Sequence, residues 1–306
     1  MPRPADDPLG HGGTPEWVER PERSNTLALR FMTWVAMALG RRVARLLLYP
    51  ICLYFLAFSP RARSASRQYL GRVLCRNARL ADLFRHYHSF ASVLLDRVFL
   101  LNDQFSRFDV RVHGAEVIDE LIARKEGCVL LGAHLGSFEI ARSGGRTRGL
   151  KISMLMYEEN ARKVSAAIKS INPGRQMEII SLGQVDSMLR VEAALARGEL
   201  VGMLSDRTPN AAGTVYCQFL GQPARFPTGP IRMATVLHRP MALIFGLYRG
   251  GNRYEIHIER FAEPMPAGSR GRDKTANQLL QRYAERLEHY CRLTPYNWFN
   301  FYDFWR

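Results

Sequence analysis

Short apolar runs alternate with amphipathic segments from Asp109 onward, and this pattern restricts the fold more than any other feature. Such alternation is typical of α/β layers built on a largely parallel sheet. We therefore predict an α/β fold with a mostly parallel mixed sheet flanked by helices. The predicted strands are 109–114, 128–133, 151–157, 178–180, 199–205, 241–248 and 254–259, and the predicted helices are 115–125, 138–147, 160–171, 185–197, 229–238 and 273–293.

The preceding region, residues 23–105, is basic and apolar at once. It contains eleven arginines between Arg23 and Ala81 and no Asp or Glu there. The same stretch holds the most apolar sequence of the chain, and residues 63–81 and 80–101 have the spacing of amphipathic helices. Basic and apolar character together favour an anionic membrane surface over DNA as the partner.

The composition of residues 31–58 disfavours a simple membrane span, because Arg41, Arg42 and Arg45 would lie near its centre. Each arginine costs roughly 2.5–3.5 kcal/mol there, whereas each Leu, Ile, Phe or Val returns only about 0.3–0.6 kcal/mol. An interfacial anchor, or a short tilted insertion with snorkelling arginines, fits this composition better. The alternative is a buried helical hairpin of a soluble protein.

The chain of 306 residues divides into three predicted parts. Residues 1–22 are polar and rich in Pro and Gly, which indicates a loosely ordered tail without the apolar core of a cleaved signal peptide. Residues 23–105 form the helical membrane-anchoring region, and residues 106–306 form the α/β domain. The five cysteines are widely spaced, so we expect reduced thiols in a cytosolic setting.

The segment VLLGAHLGSFE, residues 129–139, ends a predicted buried strand by presenting a histidine and a glutamate. His134 follows the strand, so it lies at the carboxyl end, where open α/β sheets bind ligands. Glu139 meets His134 only if the histidine is in the loop and the glutamate is in the first helical turn. Gly136 permits that bend and Ser137 can cap the helix.

This geometry predicts general-base chemistry. Glu139 would accept a hydrogen bond from one imidazole nitrogen of His134, and the other nitrogen would take a proton from a substrate hydroxyl or amine. The alternative is a histidine that merely donates to a nearby backbone carbonyl. The sequence contains no Gly-rich phosphate loop, no GxSxG elbow and no carboxylate cluster for a metal.

Two further segments place polar groups at the ends of predicted elements. Asp206 and Arg207 follow the strand 199–205, at the same edge of the sheet as His134. Arg207 is suited to bind a phosphate or carboxylate or to stabilise a thioester oxyanion, although a surface ion pair is an equal alternative. Thr228 and Gly229 precede a helix whose first amides can hold an anion, and the alternative is a plain N-cap.

The motifs resemble the lysophospholipid acyltransferase superfamily, and specifically its bacterial branch of late acyltransferases of lipid A synthesis. HLGSFE is similar to the HX4D/E signature of that superfamily. The other segments that resemble the branch follow in the expected order, and they are MYEEN at 156–160, LSDRTPN at 204–210, FLGQPARFPTGPIRMA at 219–234 and PYNWFNFYDFW at 295–305.

The resemblance implies catalytic roles for His134 and Glu139 and substrate-binding roles for Asp206, Arg207, Tyr157, Asn160, Thr228 and Gly229. The aromatic C-terminal segment is open to three interpretations, which are a cover for an acyl tunnel, an interfacial belt and ordinary core packing. His86 and His88 lie two positions apart and face different ways on a helix, so we expect at most structural or subgroup-specific roles for them.

Two residues depart from the pattern of that branch. Glu158 stands where an arginine is usual, and Arg207 stands where a glutamine is usual. Both lie where acceptor recognition is expected. A smaller lyso-lipid, an amino-acid lipid or a lipid-anchored pigment precursor is therefore as suitable an acceptor as the lipid A precursor.

The resemblance implies a membrane-associated acyltransferase at the cytoplasmic face of the bacterial inner membrane. Its acyl donor would be acyl-acyl carrier protein, or else acyl-CoA, and its acceptor would be a lipid. The resemblance also implies that it needs no metal or organic cofactor. A net charge of +15 suits an acidic carrier protein and an anionic membrane surface. The alternative is a non-catalytic basic module that binds membranes or nucleic acid on the same fold, although no helix-turn-helix, RNP or zinc motif supports nucleic acid.

Overall fold

The structure, a computed structural model, describes residues 26–146, 151–172, 178–207, 213–264 and 272–305. The predicted tail at residues 1–22 lies outside these ranges. The five cysteines are all described and none is paired in a disulfide.

A seven-stranded sheet forms the centre of the described chain, with strand order β1-β9-β8-β2-β5-β3-β4. All neighbouring strands are parallel except β8 and β9, which are antiparallel. The predicted α/β fold with a mostly parallel mixed sheet is therefore confirmed. Its strands are β1 Asp109–His113, β2 Cys128–Gly132, β3 Ile152–Tyr157, β4 Ile179–Leu182, β5 Leu200–Leu204, β8 Met241–Tyr248 and β9 Arg253–Ala262.

The sheet is covered on both faces, which explains its continuous apolar runs. Every residue of β2 and of β8 is buried. Central strands of largely parallel sheets have this composition because helices pack on both sides of them. The edge strand β1 differs, since four of its five residues are exposed.

A separate hairpin of two antiparallel strands, β6 Thr214–Phe219 and β7 Gln222–Pro227, was not predicted. Its two-residue turn is Leu220-Gly221, with φ of 50° and 81°. Positive φ at both turn positions matches the twist of the flanking strands, but leucine is rarely found there, so the sequence carries little signal for this turn.

Nine α-helices flank the sheet in the described chain, close to the predicted positions. One prediction needs correction: the helix expected at 63–81 ends at Val73, and a turn at 74–79 precedes the next helix. The helices are α1 Thr26–Phe58, α2 Pro60–Val73, α3 Leu80–Leu101, α4 Ala115–Arg124, α5 Phe138–Arg146, α6 Glu158–Ile171, α7 Ser187–Ala196, α8 Gly229–Val236 and α9 Arg272–Leu293.

Helix α1 buries one face and exposes the other. It is broken at Gly40, which adopts φ 81° and ψ 168°, a conformation that glycine adopts without a steric penalty. From residue 32 onward, where its side chains are described, five are buried, namely Val35, Ala36, Ala44, Leu48 and Cys52. Its exposed large apolar side chains are Trp34, Met37, Leu39, Val43, Leu46, Tyr49, Leu53, Tyr54, Phe55 and Phe58.

An ion pair fastens α1 to the rest of the protein. The Arg41 guanidinium donates to both carboxylate oxygens of Asp96 on α3, at 2.7 and 2.9 Å, and the Tyr254 hydroxyl of β9 donates to the same carboxylate at 2.7 Å. The Asp96 side chain is fully buried. The N-terminal helices and the sheet thus share polar contacts, and the boundary predicted between residues 105 and 106 stays a prediction.

No single helix in the described ranges is long and apolar enough to cross a membrane. The pair Met32–Phe58 and Pro60–Val73 meets the length and composition criterion only together, and the two helices are bent by 98°. Attachment to a membrane stays a prediction.

Candidate functional site

The parallel pairing of β2 with β5 brings the candidate catalytic residues together. Gly132 pairs with Leu204 at the carboxyl ends of the two strands, and the Ser205 amide donates to the Gly132 carbonyl at 2.9 Å. The segments that follow β2 and β5 therefore leave the sheet at the same edge, because the two strands are parallel. His134 and Asp206 are the second residues beyond these paired strand ends and therefore meet there.

Asp206 is the hydrogen-bond partner of His134. The His134 Nδ1 atom lies 2.8 Å from Asp206 Oδ1, and the His134 backbone amide donates to Oδ2 at 3.1 Å. The Asp206 residue is only 2% exposed. Because an ionised carboxylate only accepts, Nδ1 carries the proton and Nε2 keeps its lone pair. Asp206 was predicted to bind the substrate, and that role stays a prediction.

Glu139 lies on α5 and contacts a different residue from the one expected. Its Oε1 atom is 2.7 Å from Arg97 Nε on α3, an ion pair whose N–H is not aligned for a hydrogen bond, and Ser137 Oγ donates to Oε2 at 3.4 Å. The predicted hydrogen bond between Glu139 and His134 is absent from these described residues. The first turn of α5 faces α3, so the carboxylate meets a cation there instead.

Arg207 occupies the other side of the imidazole. Its Nε atom donates to His134 Nε2 at 3.1 Å, and its guanidinium carbon lies 5.9 Å from the centre of the Tyr302 ring. His134 is therefore held between a carboxylate on Nδ1 and a guanidinium on Nε2. This contact agrees with the tautomer that Asp206 imposes, because Nε2 acts as an acceptor.

The surroundings keep His134 neutral and Asp206 ionised. Burial and then the Arg207 cation lower the pKa of His134, and these effects outweigh the Asp206 carboxylate, which raises it. Burial alone would raise the pKa of Asp206, but His134, Arg207 and the Trp298 hydrogen bond lower it well below its usual range. A neutral histidine beside an ionised carboxylate has the protonation states of a general base.

A largely apolar cavity of about 270 Å³ opens beside the histidine and is called the His134 cavity below. The His134 side chain is 29% exposed, so it is accessible from this space. The other lining residues come from α3, from the ends of β2 and β5, from the start of α5 and from the C-terminal segment, and they are Phe90, Val93, Leu94, Arg97, Ala133, Gly136, Phe138, Leu204, Arg207, Phe299, Phe301 and Tyr302.

The C-terminal segment passes directly over the loop that carries His134. The Gly136 amide donates to the Asn297 carbonyl at 2.9 Å, and the Phe299 amide donates to the His134 carbonyl at 2.8 Å. Gly136 has φ 68°, and a Cβ atom there would lie 2.0 Å from the Gly246 carbonyl oxygen. Only glycine fits at this crossing, which explains its place in the motif.

Trp298 is a site residue that the sequence did not identify. It is buried, and its indole Nε1 donates to Asp206 Oδ2 at 2.9 Å. Asp206 thus accepts from His134 twice and from Trp298 once. The available signal was chemical, because a buried tryptophan requires an acceptor for its N–H. The sequence could not show which acceptor that would be.

His86 on α3 holds the other side of Trp298. Its Nε2 atom lies 2.8 Å from the Trp298 carbonyl, and its Nδ1 atom lies 2.7 Å from Ser66 Oγ on α2. Nε2 must carry the proton because a carbonyl only accepts. Burial lowers the pKa of His86 to about 4 against the opposing effect of the Trp298 carbonyl. The structural role expected for His86 agrees with these contacts.

The remaining predicted substrate-binding residues do not line the His134 cavity in the described chain. Tyr157 is exposed at the end of β3, and Asn160 lies in the first turn of α6. Thr228 is buried at the start of α8, but its hydroxyl donates to the Gly213 carbonyl at 2.8 Å rather than capping the helix. Gly229 is the first residue of α8. Their predicted roles stay predictions.

One group of three potential metal ligands is present among the described residues, namely His113, Glu255 and His257 on β1 and β9. Arg249 Nε lies 3.3 Å from Glu255 Oε2, which places a cation beside the group and disfavours a metal ion. The two strands lie at the end of the sheet beyond β8, whereas His134 follows the central strand β2. The group therefore gives no reason to expect a metal in the candidate site.

The model of the bacterial lipid A biosynthesis acyltransferase family matches residues 20–306. The match includes the N-terminal helices, the sheet and the C-terminal segment that covers the loop carrying His134. No curated protein matches the chain at a significant level. The chain belongs to the bacterial lipid A biosynthesis acyltransferase family.

Proposed function

We propose that the protein transfers a fatty acyl chain from a thioester to a hydroxyl or amine of a membrane lipid, with His134 as general base. The family is one of acyltransferases, which supports the class of reaction. The observation that carries the proposal is the Nδ1–Asp206 hydrogen bond, at 2.8 Å, beside a largely apolar cavity. It keeps the proton on Nδ1, so Nε2 of the neutral imidazole is the nitrogen that can accept a proton from the acceptor once Arg207 has moved away.

The reaction begins when the acceptor hydroxyl or amine gives its proton to His134 Nε2 and its oxygen or nitrogen attacks the thioester carbonyl carbon. A tetrahedral intermediate forms with the negative charge on the former carbonyl oxygen. Asp206 stabilises the imidazolium and fixes its orientation. The carbon–sulfur bond then breaks, the imidazolium returns the proton to the leaving thiolate, and the ester or amide product remains.

Arg207 must move before the acceptor can reach Nε2, because its Nε atom donates to that position at 3.1 Å. In the proposed reaction it turns toward the thioester oxygen and stabilises the oxyanion. The phenol of Tyr302, whose ring lies 5.9 Å from the guanidinium carbon, keeps an aromatic surface beside Arg207 during this movement. The amides at Thr228 and Gly229 are an alternative source of oxyanion stabilisation.

The walls of the His134 cavity suit an acyl chain. Its apolar side chains come from α3 and from the aromatic C-terminal segment, and the two arginines among its lining residues are Arg97 and Arg207. The carboxylate of Glu139 compensates the charge of Arg97 at 2.7 Å. We therefore propose that Glu139 shapes the wall through Arg97, while the role of orienting the base belongs to Asp206.

The donor that we propose is acyl-acyl carrier protein, with acyl-CoA as the alternative. Acyl carrier proteins are acidic, and the net charge of this chain is +15. The exposed apolar face of α1, together with the basic N-terminal region, supports association with an anionic membrane at the cytoplasmic face of the inner membrane. Both assignments rest on charge and surface composition.

Comparative lipid mass spectrometry tests the function. Host cells carrying the wild type should contain a lipid that has gained one acyl mass, and cells carrying His134→Ala should lack it. The same substitution at His289, an exposed residue of α9, provides a matched control that should retain the product. No difference between wild type and His134→Ala, with all three proteins folded and present at equal levels, would remove the general-base proposal.

A second assay distinguishes the donors. Membranes containing the wild type are incubated with acyl-acyl carrier protein or with acyl-CoA of the same chain length, and the product is quantified. We expect a higher kcat/KM with the carrier protein, and a steeper loss of rate with salt because an acidic protein presents more negative charge to the basic surface than the phosphates of CoA do. Equal rates and equal salt dependence would favour acyl-CoA as an equivalent donor.

A further inference from the structure

A second cavity, of about 610 Å³, lies between the N-terminal helices and the C-terminal segment and is called the Arg45 cavity below. It neighbours the His134 cavity along α3, since residues 84–89 face one and residues 90–97 face the other. Its lining residues are Arg45, Tyr49, Phe84, Arg85, His88, Ser89, Tyr248, Arg249, Gly250, Gly251, Leu293, Thr294, Pro295, Tyr296 and Asn297.

The described lining of this cavity contains three arginines and a histidine but no aspartate or glutamate. Arg249 has a carboxylate partner, since its Nε lies 3.3 Å from Glu255 Oε2. Two cations remain. Arg45 donates to the Tyr248 hydroxyl and to the Gly251 carbonyl, both at 3.0 Å, and the guanidinium carbon of Arg85 lies 6.0 Å from the Tyr296 ring centre.

Arg45 and Arg85 are not ion-paired with any carboxylate of the described chain. Other arginines of the N-terminal helices have a carboxylate partner: Arg41, one helical turn before Arg45, pairs with Asp96 at 2.7 Å, and Arg76 pairs with Asp82 at 2.7 Å. A guanidinium whose only partners are neutral keeps its charge available for an anion. Phosphate matches the fork of N–H donors that arginine presents.

His88 gives a second sign of positive potential in the same wall. Its ring lies 5.0 Å from that of Tyr49 and 5.9 Å from that of Phe84, and its Nε2 atom has no hydrogen-bond partner in the described chain. Burial and then the Arg45 charge lower the pKa of His88. The cation of Arg45 is therefore close enough to repel a proton from this ring, and an anion in the cavity would relieve that repulsion.

The apolar surroundings of the cavity indicate what carries the anion. Tyr49 contributes to the lining and also lies on the exposed apolar face of α1, where Leu46 and Leu53 are its neighbours one turn before and after. A ligand whose charged end enters the cavity can lay its apolar part along these side chains. That combination of a phosphate and an apolar chain is found in a membrane phospholipid.

We propose that the Arg45 cavity binds the phosphate headgroup of an anionic membrane lipid through Arg45 and Arg85. The site is separate from the His134 cavity, so this binding does not depend on the reaction proposed above. Lipid binding in the Arg45 cavity would orient the protein on the membrane surface. Helix α3 and the C-terminal segment border both cavities, so the His134 cavity would then lie at a fixed position relative to the bound lipid.

Vesicle sedimentation with the full chain tests this proposal. Vesicles of phosphatidylcholine alone are compared with vesicles that also contain phosphatidylglycerol. The double substitution Arg45→Gln/Arg85→Gln removes the two unpaired charges of the cavity. Arg42→Gln/Arg67→Gln removes the same charge from exposed positions on α1 and α2 outside the cavity and is the matched control. Thermal unfolding of both doubles checks that each is folded.

We expect the cavity double to lose at least about tenfold more affinity for the anionic vesicles than the control double, and both to bind phosphatidylcholine like the wild type. Equal losses in the two doubles would overturn the proposal, because they would show general surface attraction. If the cavity double does not fold, the single substitution Arg85→Gln replaces it, with Arg42→Gln as its control. Arg85 is exposed and its described contact is the Tyr296 ring, so its substitution should leave the fold intact.

Inorganic phosphate distinguishes a lipid headgroup from a soluble anion. Millimolar phosphate, at constant ionic strength, should compete with phosphatidylglycerol vesicles for the wild type and not for the cavity double. Binding of inorganic phosphate by the wild type without any preference for the anionic vesicles would overturn the assignment to a lipid.

Discussion

Two histidines lie on opposite sides of Trp298, and their surroundings differ in one decisive respect. His134 is bonded through Nδ1 to Asp206, which accepts from the Trp298 indole, and His86 is bonded through Nε2 to the Trp298 carbonyl. Burial lowers the pKa of both. The second nitrogen of His86 meets the buried Ser66 hydroxyl, whereas His134 lines a cavity and its second nitrogen meets Arg207, which lines the same cavity.

The comparison separates a histidine that can react from one that can only hold the structure. Both are polar groups inside apolar surroundings and must be hydrogen-bonded. A protein group that is itself buried fixes each nitrogen of His86, so no substrate can reach it. His134 has a buried partner at Nδ1, whereas its partner at Nε2, Arg207, lines the His134 cavity. The catalytic potential therefore comes from access to Nε2, since a lowered pKa and a bound nitrogen are common to both residues.

The largest expected effect is the loss of activity in His134→Gln compared with His86→Gln. Removing a general base lowers kcat by roughly 10²–10⁴-fold. His134→Gln also removes a hydrogen bond from the buried Asp206 carboxylate, so a loss of stability accompanies the kinetic defect. His86→Gln should likewise lower the free energy of unfolding, by about 1–3 kcal/mol, since it disturbs a buried hydrogen-bonded pair, but leave kcat of the folded protein near the wild-type value.

Denaturant unfolding measures the free energy of unfolding of both variants, and steady-state kinetics measures their kcat. The comparison fails if His86→Gln abolishes kcat without destabilising the protein, or if His134→Gln leaves kcat unchanged.

Asp206→Asn is expected to lower kcat by about 10²–10³-fold, because an amide does not stabilise the imidazolium and no longer enforces the Nδ1–H tautomer. Asp82→Asn is the matched control. Asp82 is also a buried carboxylate, and it accepts from Arg76 and from the Tyr296 hydroxyl at 2.7 and 2.8 Å, on the side of the protein that contains the Arg45 cavity. It should lose stability and keep kcat. Equal kinetic defects in the two variants would mean that Asp206 acts only through the fold.

The sequence predicted the sheet and the edge at which the site lies, but not the pairing within the site. His134 and Asp206 each follow an apolar run that became a parallel strand, so both were expected at the carboxyl edge. Which strands are neighbours depends on the order β1-β9-β8-β2-β5-β3-β4, and tertiary packing decides that order. The short spacing between His134 and Glu139 favoured a local pair, and the adjacent strand β5 supplied a better-placed carboxylate.

Trp298 and the β6–β7 hairpin show two other reasons why the sequence was insufficient. Trp298 is separated from Asp206 by 92 positions, and no local pattern connects an indole to its acceptor. Leu220 occupies a turn position with φ 50°, where Asn, Asp or Gly is expected. Both depend on contacts made only after the chain has folded.

The pH dependence of stability gives a smaller effect that again distinguishes His86. Its pKa is about 4 in the folded protein and 6.5 as an ordinary value, so the unfolded chain binds the additional proton between these pH values. The free energy of unfolding should therefore decrease by about 3 kcal/mol from this residue as the pH falls from 6.5 to 4. The pKa values of His88, His134 and His257 are also lowered by burial, so the informative quantity is the difference from His86→Gln.

Chemical denaturation of the wild type and His86→Gln between pH 7.5 and 4 measures that difference. We expect the wild type to lose more stability on acidification than the variant does. Parallel curves would show that His86 is protonated equally in the folded and unfolded chains, and would contradict its enclosure between Ser66 and Trp298.

The smallest expected effect is a shift of the acid limb of the pH profile in Arg207→Gln. The His134 pKa is lowered first by burial and then by the Arg207 charge, so removing that charge should move the midpoint of kcat/KM upward, by less than about one pH unit. Arg207→Lys keeps the charge and should leave the midpoint close to that of the wild type, whatever it does to the maximal rate. A downward shift, or equal shifts in the two variants, would show that Arg207 does not act on the protonation of His134, and its contact with Nε2 would then be a feature of the resting site alone.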